Sequence, residues 1–317
     1  MMNGWQRGLT EAGVDDPGLR AHYTGQARWL LRYTPAQYTA LRALLPPATA
    51  VHLVAATAFM HTCDRILDQD SAYPVIERAA RFEGYAQRVR DALASSHTPS
   101  GSLGPLWHTT RAHPQLAYCV EDFLRAAPIE LHFTGFESEA DFVSYVNDYT
   151  LPALLTMATV LRDPSEPPQR LRERVRLIAV PVQRIDFLTD LAEDLQEGRL
   201  CLPLADLQAA GVQPDDLRRQ RGTVQVQALL AHTAAKCWTD LAAAKPATAG
   251  FPTTNAPMIA AQLDIYAHML RVAQAHGARL LRHPARPRIP AAAAILLRHH
   301  KQARAHTPNH LHGNPPT

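Results

Sequence analysis

The stretch QRIDFLTDLAED, residues 183–194, decides the fold and the chemistry that this chain offers. Asp186, Asp190 and Asp194 recur at every fourth residue, so on one α-helix their carboxylates share a face. The other side of that helix is apolar, with Ile185, Leu188, Leu191 and Leu195. Three like charges on one face destabilise a helix unless cations neutralise them, and Mg²⁺ binds through a few carboxylates together with substrate phosphates. The pattern therefore indicates either a divalent-cation site or a solvated acidic stripe.

A second pair of acids, Asp64 and Asp68, lies at the end of the apolar segment 51–67. Acids on a helix with apolar surroundings are costly to bury unless they are paired or bind a metal. One such pair is expected by chance, but two acid-bearing helices with apolar backing are a rarer combination. We expect the two helices to face each other across a bundle and to bind a diphosphate through bridging Mg²⁺ ions.

Length and composition bound the class of protein. A chain of 317 residues can bury a substantial core, and abundant alanine, leucine and arginine with only 7% aromatic residues favour helices over sheets. The net charge of +3, without a long block of one sign, gives no support for nucleic-acid binding. The four cysteines show no metal-ligand spacing and are typical of thiols in a reducing cytoplasm: Cys63, Cys119, Cys201 and Cys237.

The apolar patterns and the prolines between them predict one all-α domain over residues 19–301, a helical bundle around a central cavity. Residues 1–18 are expected to form a loose arm, and residues 302–317, rich in His, Pro and Asn, a disordered tail. The predicted helices cover residues 18–33, 36–45, 48–69, 74–96, 115–134, 138–162, 167–197, 222–246, 255–282 and 289–304.

The first residues are polar and include Asp15, Asp16 and Pro17, so they do not resemble a signal peptide. The longest apolar run, residues 151–161, is too short to cross a bilayer. We therefore expect a cytoplasmic protein without a membrane span, either a monomer or a homodimer.

These motifs resemble those of the squalene/phytoene synthase family, a part of the wider isoprenyl diphosphate synthase group. The matching pieces occur in the family's order and span roughly residues 40–295. The aspartate pairs are the most specific, together with GRLCLP at 198–203, which is similar to the family's Gly-Arg-x-x-Leu-Pro. The weaker pieces are LLP at 44–46, Glu130 with HFTGFE at 132–137, Tyr145, IYA at 265–267 and PRIP at 287–290.

The resemblance implies an isoprenoid-synthase-type bundle in which Mg²⁺ ions help an allylic prenyl diphosphate to ionise. Arg199 and Tyr266 would contact the diphosphate, and Gln183 the reacting end. As alternatives, Arg199 is a cation at a helix C-terminus and Tyr266 a core aromatic residue. The family usually has Asn where this chain has Asp186, which keeps an oxygen ligand and adds a charge. The metal ligands implied by the resemblance are Asp64, Asp68, Asp186, Asp190 and Asp194.

The first departure from the family concerns charge. Head-to-head synthases join two long prenyl diphosphates and carry an Arg three residues before the first aspartate, where this chain has His61. A second diphosphate would therefore be poorly held. His61 shares a helix face with Asp64 and Asp68, so it would hydrogen-bond a carboxylate or a phosphate, or else close a polar pocket. Basic residues are also absent around the LLP motif, where the approximate places are taken by Thr34, Ala36, Ala50 and Val51.

The second departure is steric. After the family's catalytic Tyr, matched here by Tyr145, a run of small residues lines a long prenyl tunnel. This chain has YTLPAL at 149–154 instead, and larger side chains in a close-packed wall shorten the pocket. A short donor such as dimethylallyl diphosphate would fit better than a long one. Asn147 and Asp148 would orient or deprotonate a phenol or an indole-type N–H, unless Asp148 faces solvent.

We interpret the chain as a Mg²⁺-dependent prenyltransferase that joins one short prenyl diphosphate to an aromatic, carbazole- or indole-like acceptor in natural-product biosynthesis. It resembles the branch of the family that prenylates carbazole-type compounds. The alternatives are a head-to-head squalene- or phytoene-type synthase and a terpene cyclase that releases a hydrocarbon or alcohol. A helical scaffold without catalysis is disfavoured, because carboxylates on apolar helices without a metal only cost stability.

Overall fold

The computed structural model describes residues 4–69 and 73–305 and consists of helices joined by short connections. No strand occurs in this part of the chain, where the one isolated β-bridge joins Gly135 to Leu200. The predicted all-α fold is confirmed. None of the described helices is long and apolar enough to cross a membrane.

The helices begin and end as follows. The first half contains α1 (Gly4–Glu11), α2 (Pro17–Tyr33), α3 (Pro35–Leu44), α4 (Pro47–Asp64), α5 (Val75–Ala94), α6 (Gly104–Ala112), α7 (Gln115–Ala126), α8 (Glu139–Tyr145) and α9 (Leu151–Leu161). The second half contains α10 (Pro168–Thr189), α11 (Leu191–Gln196), α12 (Leu204–Ala209), α13 (Pro214–Arg218), α14 (Val224–Ala244), α15 (Ala256–His276) and α16 (Ile289–Ala305). Several begin at a proline, whose missing N–H costs nothing in the first helical turn.

The prediction of a loose N-terminal arm is wrong for the described residues 4–18. Trp5 and Leu9 are buried as α1 packs against α4, and the Trp5 indole N–H donates to Thr24 at 3.1 Å. A short helix with a narrow apolar stripe gives too weak a periodic pattern to be recognised in a polar segment.

At the C-terminal end of the described residues, α16 continues to Ala305. The rest of the predicted tail, residues 306–317, lies outside the described residues.

Two of the long predicted helices, over 48–69 and 138–162, contain π-helical turns. The segment predicted as one helix over 138–162 contains α8, a π-helical turn at Val146–Thr150, and α9. Pro152 explains this turn, because it has no N–H to donate to the carbonyl of Asp148 four residues earlier. A second π-helical turn, Arg65–Gln69, follows α4 at the first aspartate pair. Single π-helical turns are frequent at functional sites.

The two acid-bearing helices, α4 and α10, both pack against α9. The helix α4 is buried on nearly every side over residues 50–60, which places it in the core. The helix α10 is amphipathic and contacts α14 and α15 on its other side. This arrangement sets the two acid-bearing helices around α9.

A cavity of about 190 Å³ lies between α3, α4, α9, α10 and α15. Most of its wall is apolar, and the polar exceptions are one threonine, two glutamines and one tyrosine. The cavity confirms the central space that the sequence predicts for the bundle. Its lining includes Gln37, Leu53, Thr57, Leu154, Met157, Ile178, Phe251, Met258, Gln262 and Tyr266.

Candidate active site

The second aspartate motif does not lie on one continuous helix. The helix α10 ends at Thr189, Asp190 has φ −100° and ψ 7°, and α11 starts at Leu191. Asp186 and Asp194 therefore belong to successive helices. The Tyr266 hydroxyl donates to Oδ2 of Asp186 at 3.1 Å and fixes this carboxylate against α15.

All three acids of the motif ionise less readily than free aspartate. Burial, followed by the charge of Asp190, raises the pKa of Asp186 to about 8. Burial also raises the pKa of Asp190, although Arg286 opposes it, and that of Asp194 to about 6, although Arg199 opposes it. A cation bound at these carboxylates would reverse the shifts, because positive charge favours the ionised form.

Asp194 belongs to a buried polar group that extends to Tyr145. Arg199 pairs with Oδ1 of Asp194 at 2.9 Å and lies 3.8 Å from a carboxylate oxygen of Glu130. The hydroxyl of Tyr145 donates to Glu130, and burial, followed by the charge of Glu130, raises the pKa of Tyr145 well above its ordinary value. Oδ2 of Asp194 is buried without a hydrogen bond of normal geometry, although the Cys201 thiol lies close to this carboxylate.

Backbone pairing holds the Gly-Arg loop in position. The N–H of Leu200 donates to the carbonyl of Thr134 at 2.8 Å, and the N–H of Leu204 donates to that of Phe136 at 3.0 Å. Gly135 has a φ of +147°, and a Cβ there would lie 2.4 Å from the Leu200 carbonyl oxygen. Only glycine permits this close approach, which sets Arg199 beside Glu130.

The first aspartate motif is coupled to the cavity through His61. Nδ1 of His61 lies 3.6 Å from a carboxylate oxygen of Asp64, and Nε2 lies 3.1 Å from Oε1 of Gln37. Gln37 lines the cavity, as does Tyr266, the hydrogen-bond partner of Asp186. One acid of each motif, Asp64 and Asp186, is therefore within two side chains of the same cavity. The side chain of Asp68 lies outside the described part of the structure.

The donor set fits a hard divalent cation shared with a phosphate. Among the described residues, no three His, Cys, Asp or Glu side chains converge closely enough to hold a metal by themselves. Mg²⁺ characteristically takes one or two carboxylates and completes its shell with water and substrate phosphates. Asp186 and Asp194 fit this role, because a cation at their carboxylates would favour the ionised forms that burial disfavours, and Oδ2 of Asp194 makes no hydrogen bond of normal geometry.

Other predicted residues lie away from the cavity wall. Asp148 is exposed on the π-helical turn, so the alternative that it faces solvent is the observed one. Asn147 accepts a hydrogen bond from Nε of Arg176 at 2.7 Å, across the outer side of α10. Gln183 accepts one from Thr150 at 2.8 Å. Tyr145 packs in an aromatic cluster with Phe133, Phe136, Phe142 and Phe187.

Two arginines near the acids were missed by sequence reasoning. Arg286 pairs with Asp190 and lies 2.6 Å from Glu193, and its only signal was the basic segment just before PRIP. Arg184 is buried within α10 and pairs with Asp240 at 2.7 Å and with Glu139 at 2.5 Å. It fixes the back of α10 to α8 and α14. Nothing in the local sequence separates this arginine from a surface residue.

Comparison with known proteins defines the class. The family model for squalene/phytoene synthase matches residues 33–293, and the chain belongs to this family. Enzymes of the family are prenyltransferases, and the fold and the prenyltransferase class predicted from the sequence are both confirmed.

Solved structures share the fold. A dehydrosqualene synthase crystallised with a ligand superposes with a TM-score of 0.79 at 16% identity, covering 94% of this chain and 100% of that one. Squalene synthase HpnC from Alicyclobacillus acidocaldarius gives a TM-score of 0.71 at 19% identity, covering 86% of this chain and 99% of that one. YisP from Bacillus subtilis gives 0.62 at 17% identity, covering 93% and 98%.

A curated relative matches part of the sequence. The bifunctional protein CrtB/UppS of Streptomyces coelicolor is 28% identical over 211 residues, which is 65% of this chain. The aligned region covers 36% of that longer protein, so this chain spans about a third of its length.

Proposed function

We propose that this protein is a Mg²⁺-dependent prenyltransferase that uses one short allylic diphosphate and an aromatic acceptor. The observation that carries the proposal is the cavity with two coupled acid motifs. On the cavity wall, Gln37 contacts His61, which in turn lies beside Asp64. Tyr266, also on the wall, hydrogen-bonds to Asp186. A diphosphate at this end of the cavity would meet both motifs, while its prenyl chain would lie in the apolar interior.

The cavity volume supports a short donor. About 190 Å³ is below the ~300–1,000 Å³ typical of pockets for drug-sized ligands. Leu154 and Met157 of α9 form part of the wall, and Leu154 belongs to the run where the sequence indicates larger side chains than the family usually has. Dimethylallyl diphosphate is the favoured donor because two long prenyl chains would exceed this space.

The metal would be held by carboxylates of both motifs and would neutralise the departing diphosphate. The proposed ligands keep their predicted roles, and the protein's own cations add to the neutralisation. Arg199 and Arg286 are already paired with acids of the motif, at Asp194 and Asp190. The ligands proposed for the metal are Asp64, Asp68, Asp186, Asp190 and Asp194.

The reaction transfers a prenyl cation. The bond between the allylic carbon and the diphosphate oxygen breaks, and the diphosphate keeps the electron pair. An aromatic carbon or nitrogen of the acceptor then supplies the pair for the new bond, and the acceptor loses a proton to solvent. His61 in place of an arginine supports a single diphosphate in the site. Asp148 is exposed and does not line the cavity, so the proton leaves without it.

A head-to-head synthase is the second candidate. The family match and the fold shared with squalene and dehydrosqualene synthases favour it at least as well as an aromatic acceptor. A terpene cyclase on the same scaffold is the third. The cytoplasmic location and the monomeric or homodimeric state stay predictions from the sequence.

Product analysis separates these functions. The purified protein is incubated with Mg²⁺ and with dimethylallyl, geranyl, farnesyl or geranylgeranyl diphosphate, with and without hydroxycarbazole or indole. We expect a prenylated aromatic product with the shorter donors and no product without an acceptor. Squalene or phytoene from the longer donors would establish the head-to-head reaction instead, and a hydrocarbon or alcohol without an acceptor would establish the cyclase.

A further inference from the structure

We infer that Trp29 and Tyr33, together with His61, form a platform that binds the flat aromatic acceptor beside the cavity. This inference rests on the proposed function and extends it, because it assigns a place to the acceptor. Trp29 and Tyr33 lie four residues apart on α2, so their side chains leave the helix on one face. None of the family motifs in the sequence includes either residue.

The three rings form a continuous path from the surface to the cavity. The ring centroids of Trp29 and Tyr33 are 5.2 Å apart with an interplanar angle of 44°. The Trp29 ring meets the His61 ring edge-to-face at 6.1 Å. His61 then contacts Gln37 of the cavity wall and lies beside Asp64. An acceptor on this path would lie next to the end of the cavity where the prenyl diphosphate ionises.

The chemistry of the platform suits a flat aromatic ring. Tyr33 remains 58% exposed, and an aromatic side chain contributes most to binding when a ligand buries its large apolar surface. Offset or edge-to-face contacts between rings at these spacings are attractive beyond their buried area. The turn that joins α2 to the cavity wall carries no charge, since its residues are Thr34, Pro35 and Ala36. Arg28 and Arg32, which precede the two rings on α2, are exposed cations of the kind that stack on aromatic rings.

The platform is tested by direct binding and by turnover. Binding of hydroxycarbazole is measured by calorimetry on the full chain with Mg²⁺ and dimethylallyl thiolodiphosphate, an analogue that ionises too slowly to react. We expect Trp29→Leu and Tyr33→Leu each to weaken hydroxycarbazole binding about threefold to tenfold, the range that one lost aromatic contact allows. Binding of the analogue itself should stay within twofold of the wild type. Tyr118→Leu, at an exposed tyrosine of α7, is the matched control.

The outcomes separate the platform from the proposed function. Hydroxycarbazole affinities of both variants within twofold of the wild type, or no binding to the wild type, would overturn the platform. Wild-type binding that weakens in both variants supports the platform even if no prenylated product forms, and that lack of product would count against the proposed function alone. In turnover, the platform predicts a raised KM for the acceptor with little change in the KM for the donor.

Discussion

The substitution Asp186→Asn tests whether the acids of the second aspartate motif bind a cation. The pKa of Asp186 is raised to about 8, so at pH 7 this carboxyl is protonated in about nine-tenths of the molecules. Asp194, with a pKa of about 6, is protonated in about one-tenth of them. Binding of Mg²⁺ and a diphosphate should therefore release about nine-tenths of a proton from Asp186 at pH 7. Asparagine keeps an oxygen ligand, and it is the residue that the family usually has here.

Proton release is measured by calorimetry of Mg²⁺ and dimethylallyl thiolodiphosphate binding in buffers of different ionisation enthalpy. Protons from the ligand cancel in the difference between wild type and variant. We expect the variant to release about one proton fewer at pH 7, and almost the same number at pH 9. The wild-type affinity should rise with pH up to about 8, by up to tenfold per unit from this group alone. Equal proton release from both proteins at pH 7 would refute the assignment of Asp186 to the metal site. Asp215→Asn, at an exposed acid of α13, is the control.

Three further substitutions test the scaffold, each through the free energy of unfolding in urea. Gly135→Ala should cost about 2–4 kcal/mol, because it adds backbone strain and a clash with the Leu200 carbonyl. His52→Gln should flatten the pH dependence, because burial lowers the pKa of this histidine to about 3 and the wild type thus loses about 2 kcal/mol between pH 7 and pH 5. Arg184→Met should cost about 2–3 kcal/mol, since it leaves two partly buried carboxylates short of a partner.

Each of the three has a control and a contrary result. The control for Gly135→Ala is Gly25→Ala, which lies inside α2 with open space where the new Cβ would lie and should therefore stabilise the protein slightly. If Gly135→Ala had the same effect as this control, the close approach of Gly135 to the Leu200 carbonyl would be contradicted. The sign for His52 follows from the neutral form being favoured in the fold, so stability falls below pH 6.5. His97→Gln, at an exposed position, controls for it, and parallel pH profiles of His52→Gln and wild type would contradict the account. Arg218→Met, about half exposed, should change stability by less than about 0.5 kcal/mol.

The helical class and the acid motifs were predictable because they depend on local patterns. Apolar spacing marks α4 and α10, and prolines mark most helix starts. The aspartates of both motifs were found in the same way, since their spacing is a property of one segment. That the two motifs face each other over shared metal ions stays a prediction. The structure links Asp64 and Asp186 to one cavity through Gln37 and Tyr266.

Other features depend on contacts between distant segments, and the sequence pattern did not reveal them. The break of α10 at Asp190 accompanies a bond from the N–H of Ala285 to the Thr189 carbonyl, at 2.8 Å, and the pairing of Arg286 with Asp190. The burial of Arg184 likewise depends on Glu139 and Asp240, which are distant from it in the sequence. Both features arise from tertiary packing, which helix periodicity alone does not describe.

The most direct test of the central claim is a crystal structure with Mn²⁺ and dimethylallyl thiolodiphosphate, in which anomalous scattering locates the metal ions. Our account predicts metal ions on Asp64 and on the acids of the second motif, all contacting the same diphosphate, with the prenyl chain in the cavity beside Leu154. Metal ions at only one motif, or a diphosphate bound away from both, would contradict it.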